Sequence, residues 1–164
     1  GHESLWKTSA MTPVRDDDLE RLQQRLGYRF RDPVRLRIAL THKSWAHEHG
    51  EPVEHNERLE FFGDAVLSLC VGHLLMHRYP DWSEGTLSQA RAVLVSTAGL
   101  AEVAGDLGLG PALQLGRGEA RTGGRDKPSI LADAFEAVTA AVYLDAGFER
   151  TLEIVESVGR GLLQ

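Results

Sequence analysis

Three carboxylates interrupt an apolar, helix-forming stretch in Asn56-Glu57-Arg58-Leu59-Glu60-Phe61-Phe62-Gly63-Asp64. Glu57, Glu60 and Asp64 are spaced by three and four, so on a helix they form one acidic stripe beside Leu59, Phe61, Phe62, Val66 and Leu67. Like charges so placed repel, and burying them unpaired is costly enough to force protonation or to demand a positive partner. A second acidic pair, Asp133 and Glu136, follows about seventy residues later in Ile130-Leu131-Ala132-Asp133-Ala134-Phe135-Glu136-Ala137-Val138, again on one helical face among apolar neighbours. Two helices crossing at these faces would gather Glu60, Asp64, Asp133 and Glu136 into an all-oxygen cage, the ligand set of Mg2+ or Mn2+. Gly63 and Thr139 stand where a Glu-x-x-His di-iron motif would place its histidines, which argues against that bundle. The competing reading of the same acids is a solvated helix face, or ion pairs with Arg58 and Arg91.

Positioning such a cage requires helices, and the periodicity predicts little else. Leu19, Leu22 and Leu26 share one face of a helix from Asp17 to Leu26 that Gly27 stops. Pro33 opens a short helix to Leu40. Residues 41–54 read as a loop with a turn of helix. The acidic-stripe helix runs from Glu57 to about Tyr79, where Pro80 ends it. Ser83 restarts a helix whose apolar period continues to about Leu107, and Gly108, Gly110 and Pro111 break it. Residues 116–127 interleave Gly116, Gly118, Gly123 and Gly124 with Arg117, Arg121, Arg125 and Lys127, and read as a mobile basic loop. Pro128 and Ser129 start the second acidic helix, which Gly147 stops, and a last helix spans about 149–159. The class is all-α.

With 164 residues, 42% of them hydrophobic, the chain fits one domain over residues 11–164. Residues 1–10 read as an expression remnant or a disordered N-terminus, since Gly1-His2 precede an internal Met11. The longest run free of Asp, Glu, Lys and Arg, from Ala65 to His77, is shorter than a membrane span needs, so no membrane partner is expected. The single cysteine, Cys70, permits no intrachain disulfide and suits a reducing, cytoplasmic setting. A net charge of -6 would speak against nucleic acid, but divalent cations at an acidic site cancel that charge locally and attract phosphate. His73 and His77 have the spacing of a helical zinc pair without a third ligand, and Trp6, Trp45 and Trp82 suit packing better than base stacking.

The segment from His55 to Leu67 closely resembles the signature of the ribonuclease III endonuclease domain, with Phe62 where the family usually has Leu. Leu40-Thr41-His42-Lys43-Ser44, Glu84-Gly85 with Arg91-Ala92-Val93-Leu94-Val95, and Ile130 to Ala137 with Tyr143-Leu144-Asp145 match further motifs in order, so the resemblance covers about residues 17–159. It implies an all-helical homodimer that hydrolyses double-stranded RNA with Mg2+, or Mn2+ in its place, leaving 5′-phosphate and 3′-hydroxyl ends with short 3′ overhangs. No nucleotide cofactor is implied. Glu60, Asp64, Asp133 and Glu136 match the metal-binding carboxylates, and Asp64 and Glu136 the catalytic ones. Glu57 and Glu84 match further acids of the catalytic valley, and Phe61 an aromatic that packs into the partner subunit. The family's C-terminal double-stranded RNA-binding domain has no counterpart before Gln164.

Arg91, Arg117, Arg121, Arg125 and Lys127 are the candidate RNA contacts, because glycines let amides approach phosphates and the basic side chains release counterions. Arg29, Arg31, Arg35, Arg37 and Lys43 form a second basic cluster. The alternatives from other classes are a catalytically silent scaffold of the same fold, bound to RNA or the ribosome, and a metal-dependent phosphohydrolase of free nucleotides.

Overall fold

The hydrophobic stripes close around one central helix. The computed structural model describes residues 15–50 and 53–162, so the segment 1–10 singled out above lies outside the described residues. Among the described residues ten α-helices follow in order: α1 (Asp16–Leu26), α2 (Pro33–Ala39), α3 (Lys43–His49), α4 (Glu57–Arg78), α5 (Glu84–Leu94), α6 (Thr97–Leu107), α7 (Leu109–Ala112), α8 (Arg117–Arg121), α9 (Pro128–Ala146) and α10 (Phe148–Val158). Among the described residues the extended pairing is a single bridge, Thr41 to Gln114. The all-α expectation holds.

Helix α9 is the axis of the molecule. Its residues Ile130, Leu131, Ala134, Phe135, Ala137, Val138, Ala141 and Val142 are buried on nearly every side, between α4, α6 and α10. Small Ala side chains let those neighbours approach closely. Helix α4 lays Val66, Leu67, Cys70, Val71, Leu74 and Leu75 against it. By length and composition α4 could cross a bilayer; here one face packs into the core and carboxylates occupy its first two turns. Burial pushes the Cys70 thiol up to about 11, which leaves it an inert packing group.

Gly27 ends α1 in the left-handed region, at φ 73°, as its position predicts. Two expectations fail. The helix expected from Ser83 to Leu107 is broken after Leu94. Ser96 accepts the Gly99 amide at 3.1 Å, donates to the Val93 carbonyl at 2.7 Å, and so caps a new helix. A side chain at Gly99 would press on the Leu94 and Val93 carbonyls at 2.6 and 2.7 Å, so this corner needs glycine. The segment 116–127 is an ordered hook of α8 and a 3-10 turn over Gly124–Asp126, where a mobile loop was expected. Arg125 spends its guanidinium on the Gly110 and Leu113 carbonyls, at 3.0 and 2.6 Å.

Asp145 staples the N-terminal helices to α9. Its fully buried carboxylate accepts from the Tyr28 hydroxyl, the Arg31 and Asp32 amides at 2.8 and 3.1 Å, and Arg35 at 2.9 Å. Burial pushes this carboxyl up, but those donors outweigh it and hold it below the usual range.

Candidate metal centre

The site forms where α4 crosses α9, and its geometry begins with a buried asparagine. Asn56 gives its side-chain amide to the Ala39 carbonyl at 3.1 Å and its backbone amide to Thr41 at 2.9 Å, while its own carbonyl accepts the Glu60 amide at 2.8 Å. The first turn of α4 is therefore fixed to the end of α2. One turn on, Gly63 is buried against the backbone of Glu136, so close that a methyl group there would overlap the Glu136 carbonyl. This contact presses the acidic faces of the two helices together.

Side-chain oxygens of Glu60, Asp133 and Glu136 all lie within 4.8 Å of one another. Glu60 shares a hydrogen bond with Asp133, and Glu136 one with Asp64. Of the four acids expected to meet, the structure gathers Glu60, Asp133 and Glu136. Asp64 stands outside the threefold cluster, exposed on α4, and reaches it through Glu136. Glu57, Glu60, Phe61, Asp64 and Glu136 line an open cavity of 400 Å³.

The electrostatics of this cluster call for a cation. Burial, then Asp133 and Glu57, push Glu60 up to about 7. Burial, then Asp64, Asp133 and Glu60, push Glu136 up to about 8. Asp133 is also raised, by burial. Left alone, such a group must hold protons in place of charge. A divalent ion with hard oxygen preference removes that conflict, and carboxylate donors at this mutual spacing fit one. Glu60, Asp133 and Glu136 are the residues that could hold it.

The other expected site residues divide. Glu57 is exposed at the rim, 3.8 Å from Lys43 Nζ, so its ion pair is with Lys43 and not with the expected Arg58 or Arg91. Glu84 is not brought to the cluster: it bonds Ser88 at 2.8 Å and shares a cavity with Leu75 and Met76, roughly 20 Å further along α4. Arg91 lies in that same cavity, beside Gly72. Phe61 is 84% exposed. Arg117 and Arg121 point to solvent from α8, Lys127 pairs with Glu119 at 3.3 Å, and Arg125 is a structural clasp. His73 and His77 are exposed and belong to none of the metal-competent clusters among the described residues. Trp45 is buried against His49, and Trp82 stacks on Tyr79 at 3.8 Å.

The segment 41–44, whose His42 interacts electrostatically with Asp133, is held by bonds to residues distant in sequence. His42 donates its amide to Gln114 at 3.0 Å, Gln114 bonds the Thr41 hydroxyl at 2.8 Å, and Ser44 accepts the Gly116 amide at 2.8 Å. Burial lowers the pKa of His42. The one available signal was the polar run Thr41-His42-Lys43-Ser44 directly after a buried helix.

Residues 32–159 match the family model described as ribonuclease-III-like, and the chain belongs to that family. It is 50% identical over 134 residues to ribonuclease 3 of Bdellovibrio bacteriovorus, covering 82% of this chain and 57% of that protein. To ribonuclease 3 of Magnetococcus marinus it is 53% identical over 143 residues, covering 84% and 58%. The chain therefore spans a little over half the length of these curated relatives. The nuclease domain of ribonuclease III from Campylobacter jejuni superposes with a TM-score of 0.81 at 43% identity, over 89% of this chain and 97% of that one. Dicer from Giardia, at 21% identity and a TM-score of 0.59, shares the fold.

Proposed function

We propose that this chain is the catalytic domain of a ribonuclease III-type endoribonuclease that hydrolyses double-stranded RNA with Mg2+. The observation that carries the reading is the convergence of Glu60, Asp133 and Glu136 within 4.8 Å, with Asp64 bonded to Glu136, in a chain of this family. Glu60, Asp64, Asp133 and Glu136 would hold the ion, with Mn2+ as a substitute. A bound Mg2+ supplies a water that ionises near neutral pH and offsets charge on the phosphate. Glu136 interacts with Asp64, Asp133 and Glu60 and would have to be ionised to hold the ion, so it is the most sensitive position. Asp64 is exposed at the mouth of the cavity that Glu60 and Glu136 also line. Products would carry 5′-phosphate and 3′-hydroxyl ends.

The partner we propose is a second copy of the chain. Phe61, Leu69 and Met76 share one exposed side of α4, with exposed Val93 on α5, and Phe61 opens a cavity of 1210 Å³ with Ile38, Leu59 and Leu144. The Campylobacter nuclease domain has a region involved in dimer formation. Arg117 and Arg121, both exposed on α8, are the best-placed RNA contacts of the hook. The lone buried Cys70 fits a cytoplasmic protein. A silent scaffold gains nothing from carboxylates whose mutual repulsion opposes folding, which disfavours that alternative. Cleavage of a labelled RNA duplex in Mg2+, with chelator and single-stranded controls, tests the reading. Short duplex products in Mg2+ alone support it; an intact duplex at high enzyme concentration overturns it.

A further inference from the structure

Of the five basic residues Arg29, Arg31, Arg35, Arg37 and Lys43, three are ion-paired with acids outside the metal centre. Arg29 pairs with Glu20, Arg35 with Asp145 and Arg37 with Asp16, while Arg31 gives its amide to Asp145 beside Tyr28. Lys43 turns the other way. Its Nζ lies 3.8 Å from Glu57 Oε1, and Glu57 lines the cavity that holds Glu60, Asp64 and Glu136. Its charge also favours the ionised forms of Glu60 and Asp133.

The two ends of Lys43 behave differently. Its backbone opens α3 at a firmly held point, since His42 accepts the Ser44 amide at 3.1 Å, His42 donates to Gln114, and Ser44 accepts from Gly116. Its ammonium is held by one long ion pair whose members are both more than half exposed, an arrangement worth little in water. A compact, rotatable cation on a flexible stem thus sits over the rim of the acidic pocket, tied only loosely to Glu57. A divalent ion held by Glu60, Asp133 and Glu136 would offset the carboxylate charge that now faces the Lys43 ammonium and would favour phosphate at the same rim.

We infer that Lys43 is a phosphate-binding residue, whose ammonium leaves Glu57 for a non-bridging oxygen of the phosphate next to the scissile one. The inference rests on the duplex-RNA reading above and adds a contact that the hook 116–127 does not supply. The test measures kcat and KM of the whole chain on a labelled RNA duplex in Mg2+ over a series of salt concentrations. Wild type, Lys43→Met, Lys43→Arg and, as a control remote from the pocket, Arg29→Met are compared.

Lys43→Met should lower kcat/KM by about tenfold at low salt, chiefly through KM, and reduce the slope of log(kcat/KM) against log salt by about one. Lys43→Arg should restore both, and Arg29→Met should change neither. An unchanged salt slope in Lys43→Met overturns the inference. So does a loss confined to kcat or to Mn2+ affinity, which would make Lys43 a support for the carboxylates alone. A wild-type chain inactive on duplex RNA refutes the underlying reading, and the inference falls with it whatever the variants do.

Discussion

Gly63→Ala is the most demanding test of how the site is assembled. The added methyl would overlap the Glu136 carbonyl and stand 3.0 Å from its Cα, where ordinary contact begins at 3.4 Å. Both obstacles are backbone, so no rotamer change relieves them, and α4 must part from α9 by more than about 1 Å. Overpacking of this kind costs about 1–3 kcal/mol, which for a domain of this size lowers Tm by roughly 3–10 °C. The effect on function should be larger than that on stability. Glu60 and Asp64 lie on one displaced helix, Asp133 and Glu136 on the other, and a shift of about 1 Å in such a constellation can cost 100-fold in rate. The assay pairs thermal unfolding with Mn2+ titration and duplex cleavage. A folded variant with weakened Mn2+ binding and about 100-fold slower cleavage is expected. Wild-type Tm and wild-type cleavage together would refute the claim that this glycine sets the distance between the acidic faces.

Other consequences can be measured on the same material. In metal-free protein Glu60 and Glu136 have folded pKa values of about 7 and 8, above their ordinary 4.5. Their stabilising effect is complete below the unfolded value and is lost as pH rises through 7 and 8, while His42, with its lowered pKa, loses stability in the opposite direction as pH falls below 6.5. The Tm of chelated wild type should therefore fall between about pH 5 and pH 8 more steeply than that of Glu136→Gln, and saturating Mn2+ should flatten the difference; equal slopes would contradict the raised Glu136. The same Glu136→Gln protein should lose duplex cleavage in Mg2+, and wild-type turnover would remove Glu136 from the centre. Arg125→Met should cost about 2 kcal/mol by stranding two carbonyls, yet leave the salt slope of duplex binding intact; a reduced slope with unchanged Tm would return Arg125 to the RNA surface. Asp145→Asn should destabilise by about 3 kcal/mol in chemical denaturation, because four donors lose a charged acceptor, and a change below about 1 kcal/mol would show that the staple is dispensable.

Local patterns carried much of the fold. Periodic Leu19, Leu22 and Leu26 with Gly27 marked α1 to within a residue, and Pro33 and Pro80 bounded helices because proline cannot continue an i to i−4 ladder. The break at Ser96 was harder to see. Ser96 and Thr97 keep the apolar period intact, and only the capping bonds to Gly99 and Val93 reveal that one helix has become two. Residues 116–127 misled for a related reason. Their glycine and arginine content describes an unattached loop, whereas the Arg125 bonds to Gly110 and Leu113 and the Ser44 bond to Gly116 join residues that are distant in sequence.

By itself the sequence determined which residues carry charge into apolar helices, that four of them are carboxylates suited to a hard cation, and that the scaffold is helical. These follow from residue type and spacing along one helix. The tertiary structure decided which of those acids meet. It placed Gly63 where α4 and α9 touch, raised the proton affinity of Glu60 and Glu136 by enclosing them together, left Glu84 at the far end of α4, and turned Lys43 toward the pocket while Arg29, Arg35 and Arg37 were paired elsewhere. A pKa, a ligand set and a phosphate track depend on distances between residues on different elements. Those distances are set by helix crossing and close packing, which no single segment encodes.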